Sequence, residues 1–129
     1  MKDDTLIAAA KAARQNAYAP YSKFLVGAAL EADDGTIFCG CNVENLSFGL
    51  TICAERVAFA SAVASGHKKF RRLVVCADSM EPVTPCGACR QVMVEFCDDL
   101  EILSVNLSGE EYRATLAALL PRAKAGILG

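Results

Sequence analysis

Apolar residues recur at helical spacing near the start of the chain and at strand-like spacing after it. In residues 4–18 they return every three or four positions, which predicts a helix that buries one face. Residues 24–30 and 36–43 are mainly apolar and suit two strands. The Asp33-Asp34-Gly35 turn signal lies between those strands and therefore predicts a hairpin.

After residue 50, helical and strand-like segments alternate along the chain. Such alternation implies crossover connections and a partly parallel sheet. We therefore predict an α/β fold with a mixed sheet and packed helices, formed by residues 1–129 as a single domain. The predicted segments are a helix over 53–65, a strand over 73–77, a helix over 85–96, a strand over 101–107 and a helix over 112–120.

Composition and charge exclude several classes of function. The formal net charge is -2, and the strongest basic cluster is the short stretch 68–72, so no nucleic acid partner is expected. The first residues carry early acids and do not resemble a signal peptide. The chain also lacks a run of about 18 apolar residues, so we expect a cytoplasmic protein with no membrane partner.

The seven cysteines include a C-x-x-C pair, Cys86 and Cys89, at the start of a predicted helix. This pair alone is consistent with a redox site, half of a zinc site or coincidence. Cys53 also begins a predicted helix, so three thiolates at two helix N-termini could hold one metal. Three protein ligands leave the fourth tetrahedral position for water, which is typical of catalytic zinc. Glu55 follows Cys53 closely and could move protons beside that metal.

Two other classes of protein stay open at this point. A thiol–disulfide protein would use Cys86 and Cys89 and would need neither Cys53 nor zinc. A zinc-stabilised interaction module would need a fourth protein ligand, and the sequence offers no obvious candidate. The other four cysteines suit small buried apolar positions. His67, the one histidine of the chain, is expected in a solvated loop.

Cys-Ala-Glu followed by Pro-Cys-Gly-Ala-Cys matches the signature of zinc deaminases. Together with its flanking residues, the pattern resembles the homotetrameric zinc-dependent cytidine deaminase family from about residue 6 to Pro121. The flanking segments that carry the resemblance are Tyr21–Ala28, Asn42–Asn45, Phe48–Thr51, Cys53–Arg56 and Arg90–Val92.

This resemblance implies a three-layer mixed sheet of about five strands with helices on both faces. It implies hydrolytic deamination of cytidine and deoxycytidine to uridine and deoxyuridine with release of ammonia, in pyrimidine salvage. The implied partners are a small-molecule pyrimidine nucleoside and further copies of the chain in a homotetramer. The implied cofactor is one Zn²⁺ per chain.

The resemblance also assigns roles at the metal. Cys53, Cys86 and Cys89 would hold the zinc, and Glu55 would carry a proton to N3 of the pyrimidine and then to the departing amine. Arg56 resembles the family's arginine that forms hydrogen bonds with ligand sulfurs. Such a cation would offset the negative charge of three thiolates.

For the substrate, the resemblance implies that Asn42 and Glu44 bind ribose hydroxyls, that Phe24 stacks on the base and that the backbone at Ala54 contacts the base. Two features depart from the family. Position 48 is Phe where the family usually has Tyr, and the tail after Pro121 is short and has no aromatic residue. Both changes predict a wider pocket that accepts N4- or C5-substituted cytidines. A cytosine-bearing nucleoside antibiotic is the alternative substrate.

Overall fold

The structure, a computed structural model, describes residues 2–124. Its helices and strands alternate after the first hairpin, as the apolar pattern predicts. Among these residues no helix combines the length and apolar character needed to cross a membrane. The elements are α1 (Lys2–Arg14), β1 (Val26–Ala32), β2 (Ile37–Cys41), α2 (Ala54–Ala64), β3 (Phe70–Ala77), α3 (Gly87–Phe96), β4 (Glu101–Asn106), β5 (Glu111–Thr115) and α4 (Leu116–Leu119), with one 3₁₀ turn at Phe48–Leu50.

The five strands form one mixed sheet in the order β2-β1-β3-β4-β5. Strands β3 and β4 run parallel, and α3 makes the crossover between them. The other neighbouring pairs are antiparallel, and β1 and β2 form the predicted hairpin. The prediction of a mixed α/β sheet of about five strands is therefore confirmed.

Alternate strand residues face opposite layers of helix. On one face Ala29, Val74 and Leu103 pack in a buried cluster with Leu6 and Ala10 of α1. On the other face, residues of β1, β3 and β4 pack with buried residues of α2, α3 and α4. Helices therefore cover both faces, which confirms the three-layer arrangement. The starts of α2 and α3 lie on the same side of the sheet.

One predicted helix is wrong. Residues 112–120 read as a helix by apolar spacing, yet Glu111–Thr115 form β5, antiparallel to β4, and only Leu116–Leu119 are helical. Pairing with β4 satisfies backbone groups that a helix there would leave exposed at the sheet edge. A tight turn makes the pairing possible: Gly109 has a φ of 91°, and Glu110 N donates to Asn106 Oδ1 at 2.8 Å.

The first helix is also shorter than predicted. It ends at Arg14 rather than at residue 18, because the chain then turns and Tyr18 forms a parallel bridge with Val43. Tyr18 N donates to Asn42 O at 3.0 Å, and Glu44 N donates to Tyr18 O at 2.8 Å. These bonds hold the segment after α1 beside the segment after β2, where several predicted site residues lie.

Two glycines allow helices to pack unusually close to the sheet. A Cβ atom at Gly40 of β2 would lie 2.3 Å from Ala54 O and 2.5 Å from Ala58 N. A Cβ at Gly27 of β1 would lie 2.0 Å from Ala10 O on the opposite face. Helix α2 therefore rests directly on β2, which sets the position of its first turn.

Candidate active site

The three predicted metal ligands come together at the starts of two helices. Cys53 precedes α2, Cys86 precedes α3 and Cys89 lies in the first turn of α3. The Sγ atoms lie within 4.8 Å of one another, with 3.9 Å between Cys53 and Cys86 and 3.4 Å between Cys86 and Cys89. Helix N-termini favour negative charge, so this position favours thiolates.

The sulfur spacing fits a tetrahedral zinc ion. A zinc at about 2.3 Å from each sulfur separates the sulfurs by about 3.8 Å, close to the distances seen here. Within residues 2–124, no fourth His, Cys, Asp or Glu belongs to this cluster. Three ligands without a fourth correspond to a catalytic zinc site and argue against the zinc-stabilised interaction module.

A cation and a shared proton favour negative charge on Cys53. A hydrogen bond with Cys89 is the main cause that lowers the pKa of Cys53 to about 5, and the same bond raises the pKa of Cys89. Arg56 Nη2 lies 3.6 Å from Cys53 Sγ and 3.4 Å from Thr51 O. The contact implied by the family resemblance, between this arginine and a ligand sulfur, is therefore present.

Glu55 is buried beside the three thiols. It is 5% exposed, in the first turn of α2. Burial raises its pKa to about 7, and the charge of Cys53 adds to that shift. A carboxyl group with a pKa near the operating pH can both accept and donate a proton, which suits a general acid and base.

Glu55 and two of the three thiols, Cys53 and Cys86, line a cavity of about 290 Å³. This volume is near the lower end for small-molecule sites, about 300–1,000 Å³. The four predicted substrate residues, Phe24, Asn42, Glu44 and Ala54, all line it. The remaining lining residues are Ser22, Val26, Thr51, Cys53, Glu55, Val75, Val83, Thr84 and Cys86.

Asn42 forms hydrogen bonds with the backbone of the segment that leads into β1. Its Nδ2 donates to Phe24 O at 2.8 Å, and its Oδ1 accepts from Val26 N at 2.9 Å. The Asn42 side chain is only 8% exposed. It therefore fixes Phe24 at the cavity wall, and one Nδ2 hydrogen remains for another partner.

Glu44 is held by a turn just before Phe24. Its Oε1 accepts from Tyr21 N at 3.0 Å and from Ser22 N at 3.1 Å, and its Oε2 accepts from Ser22 Oγ. The hydrogen bond with the Ser22 side chain is the main cause that lowers the pKa of Glu44. The carboxylate therefore faces the cavity as an anion with a defined orientation.

Sequence reasoning missed three polar residues of the cavity wall, Ser22, Thr51 and Thr84. Their positions between motif residues were the available signal, since each lies within two residues of a residue assigned to the site. Phe48 lines an adjoining cavity of about 400 Å³ with Tyr21 and Glu44 rather than the cavity beside Glu55. The part of the tail beyond Lys124 lies outside the described residues.

Arg90 supports the loop that carries Cys86, which sequence reasoning also missed. Its guanidinium donates to Pro85 O at 2.7 Å, to Thr84 Oγ1 at 3.2 Å and to Leu119 O at 2.9 Å. One side chain thus ties the cavity wall to the start of α3 and to the end of α4.

Comparison with known proteins agrees with this site. Residues 1–103 match the family model described as the cytidine and deoxycytidylate deaminase zinc-binding region. A cytidine deaminase of Sporosarcina psychrophila is 53% identical over 124 residues, which cover 95% of this chain and 91% of the relative. A blasticidin-S deaminase of Bacillus cereus is 31% identical, covering 78% of this chain and 76% of the relative.

Solved structures show the same similarity. A cytidine deaminase from Burkholderia pseudomallei is 50% identical with a TM-score of 0.91, covering 94% of this chain and 98% of the neighbour. A cytidine deaminase from Mycobacterium tuberculosis is 36% identical with a TM-score of 0.83, covering 97% of this chain and 98% of the neighbour. Fold, thiol cluster and relatives agree, and the chain therefore belongs to the cytidine deaminase family of zinc-dependent hydrolases.

Proposed function

We propose that this domain deaminates cytidine and deoxycytidine to uridine and deoxyuridine in pyrimidine salvage. The observation that carries this proposal is the buried Glu55, which lines a cavity of about 290 Å³ beside a cluster of three converging thiols. No lysine or arginine is among the described residues that line the cavity. A neutral nucleoside therefore fits it better than a phosphorylated substrate or a nucleic acid.

Cys53, Cys86 and Cys89 hold the metal in this proposal. A Zn²⁺ held by these three side chains would supply an activated water as the nucleophile at neutral pH. Arg56 would offset part of the negative charge of the three thiolates, because its guanidinium lies 3.6 Å from Cys53 Sγ.

Glu55 moves the protons of the reaction. Its carboxylate takes a proton from the attacking water and delivers it to N3 of the ring while a C4–O bond forms. Glu55 then takes the second proton from the new C4 hydroxyl and delivers it to the exocyclic amine, so that C4 becomes a carbonyl, the C4–N bond breaks and ammonia leaves. The position of Glu55 in the buried first turn of α2 keeps these transfers away from bulk water.

The remaining cavity residues orient the nucleoside. Phe24 is 39% exposed at the cavity wall, where its ring can stack on the base. The backbone of Ala54 lies at the start of α2, where helix N–H groups lack helical partners and can reach the base. The free Nδ2 hydrogen of Asn42 and the carboxylate of Glu44 suit ribose hydroxyls.

We also propose a cytoplasmic homotetramer. All seven cysteines are free, as expected in a reducing compartment, and reduced thiols are required to bind the metal. The segment beside the cavity exposes large apolar side chains, with Leu46 78%, Phe48 76% and Leu50 65% exposed. Contact with neighbouring copies would cover them. Light scattering of the zinc-loaded protein should give four times the chain mass, and a monomer would contradict this assembly.

The decisive experiment follows ultraviolet absorbance of cytidine, deoxycytidine and an N4-substituted cytidine with the zinc-loaded protein. Glu55→Gln is the matched variant, because it keeps the size of the side chain and removes its acid–base function. We expect turnover in wild type, loss of at least about a hundredfold in kcat in the variant and equal zinc content in both. Equal rates in both proteins would overturn the assignment of Glu55.

The same assay determines substrate breadth. Turnover of the N4-substituted cytidine would support the wider pocket predicted from Phe48, and confinement to unmodified nucleosides would contradict it. Blasticidin S can be tested alongside, because a relative 31% identical to this chain is a blasticidin-S deaminase.

A further inference from the structure

The turn before Phe24 contains a hydroxyl group that connects two of the proposed substrate contacts. Ser22 Oγ accepts a hydrogen bond from Phe24 N at 3.0 Å and donates its own hydrogen to Glu44 Oε2. A hydroxyl has one hydrogen to donate, so this hydrogen is committed to the carboxylate. Ser22 thus joins the proposed ribose-binding carboxylate to the backbone of the residue proposed to stack on the base.

Among the residues that the structure describes, the same turn supplies every hydrogen bond to the Glu44 carboxylate. Tyr21 N and Ser22 N donate to Oε1 at 3.0 and 3.1 Å, while the Ser22 side chain is the donor to Oε2. The backbone donors survive any substitution at position 22 other than proline. The hydrogen bond from the Ser22 hydroxyl is therefore the one contact that depends on the side chain at position 22, and it fixes the rotation of the Glu44 carboxylate.

The backbone of the turn is strained in a way that brings this hydroxyl into place. Lys23 has a φ of 63°, in the left-handed region that is unfavourable for a residue with a side chain. Lys23 N donates to Ala19 O at 3.0 Å, which closes the turn, and Phe24 N then lies over Ser22 Oγ. Strained residues of this kind persist where the surrounding contacts hold them, and they cluster at functional sites.

We propose that Ser22 is a positioning residue for the sugar of the substrate. Its hydroxyl holds the Glu44 carboxylate in the orientation that accepts ribose hydroxyls and keeps Phe24 at the correct distance from that carboxylate. This proposal rests on the proposed function, since it requires that Glu44 binds the sugar. Ser22 does not act on C4, because it contacts neither the thiols nor Glu55 among the described hydrogen bonds.

The test compares Ser22→Ala with wild type on cytidine and on 2′,3′-dideoxycytidine, which lacks both sugar hydroxyls at those positions. We expect KM for cytidine to rise about tenfold with kcat nearly unchanged, as loss of a hydrogen bond with a charged group predicts. On dideoxycytidine the variant and wild type should have the same KM. Ser22→Thr, which retains the hydroxyl, should restore the KM for cytidine to within about twofold of wild type.

A merely structural role gives a different pattern. If Ser22→Ala raises KM equally on both substrates, or lowers kcat alone, the positioning role is refuted. Ser61→Ala is the matched control, because Ser61 is an exposed serine on α2 and should leave all constants unchanged. Zinc content and melting temperature identify any loss of fold in the variants.

Glu44→Gln separates failure of this inference from failure of the proposed function. If Glu44→Gln leaves KM for cytidine unchanged, the carboxylate does not bind the sugar. The role of Glu44 in the proposed function and the positioning role of Ser22 are then both wrong. If Glu44→Gln raises KM for cytidine alone while Ser22→Ala has no effect, the sugar contact stands and the role of Ser22 is refuted.

Discussion

Gly40→Ala should weaken the metal site without touching a ligand. The added Cβ would lie 2.3 Å from Ala54 O, 2.5 Å from Ala58 N and 3.1 Å from Val57 Cβ. The two shortest contacts are with backbone atoms, which cannot rotate away. An ordinary contact begins at 3.4 Å, so α2 must move from β2 by about 1.1 Å, the difference between 3.4 and 2.3 Å.

This displacement falls on the first turn of α2, which adjoins Cys53 and contains Glu55. Overpacking of this kind costs about 1–3 kcal/mol of unfolding free energy, and the smaller conformational freedom of unfolded alanine returns about 0.4–1 kcal/mol. We expect a net loss of about 1–2 kcal/mol. A misplacement of about 1 Å can also reduce a rate about a hundredfold.

Gly27→Ala is the matched control on the opposite face of the sheet. Its Cβ would lie 2.0 Å from Ala10 O and 2.5 Å from Arg14 N, so α1 must move by a similar distance. Helix α1 carries no residue assigned to the site. Gly27→Ala should therefore lower stability to a similar or greater degree while zinc affinity and kcat stay close to wild type.

The two variants are compared by urea unfolding, by competition for zinc with a chromophoric chelator and by cytidine turnover. We expect Gly40→Ala to lose at least about tenfold in zinc affinity and more in kcat. Equal zinc affinity in the two variants, or wild-type zinc affinity in Gly40→Ala, would refute the view that close packing on β2 positions the ligand and the acid–base group.

Three further changes test single contacts. Ser104 has a buried hydroxyl without a partner among residues 2–124, so Ser104→Ala should raise the free energy of unfolding by about 1 kcal/mol; a decrease in urea unfolding would contradict this. A lysine at position 90 cannot reach the three oxygen acceptors that the Arg90 guanidinium binds, so Arg90→Lys should lower the free energy of unfolding by about 1–2 kcal/mol. An unchanged melting curve would show that the loop carrying Cys86 does not need this support. A hydrogen bond from Thr36 N is the main cause that lowers the pKa of Asp34 from 3.8 to about 2. The stabilising effect of this carboxylate is therefore complete above pH 3.8 and is lost as the pH falls through about 2. Asp34→Ala should flatten the pH dependence of the free energy of unfolding in that range, and parallel pH profiles of variant and wild type would contradict this.

Much of this protein follows from local pattern. The starts of α2 and α3 were predicted from Cys53 and from the Pro-Cys-Gly segment, because motif residues and helix-start signals coincide there. Apolar periodicity predicted the first helix, the hairpin and the two parallel strands β3 and β4. Spacing and residue type showed that three thiols could hold one metal beside a carboxylate, the family resemblance favoured zinc, and the convergence of the sulfurs agrees with both.

Local pattern failed where distant residues decide the conformation. Residues 112–120 were predicted to be helical, but pairing with the edge of β4 after the turn at Gly109 makes Glu111–Thr115 a strand. Residues 15–18 continue a helical pattern, yet bonds between Tyr18 and the segment after β2 end the helix earlier. In both cases hydrogen bonds with another part of the chain outweigh a weak local preference.

The sequence by itself therefore indicated three thiols that could hold one metal beside a carboxylate, because these groups are recognisable from residue type and spacing, whereas the role expected of Arg56 came from the family resemblance. Tertiary structure alone decided the strand order, the cavity wall, the hydroxyl of Ser22 on Glu44 and the close approach allowed by Gly40. The physical reason is the distance along the chain over which each interaction acts. A helix start depends on neighbours within a turn, whereas contacts between segments far apart in the chain depend on how the whole core packs.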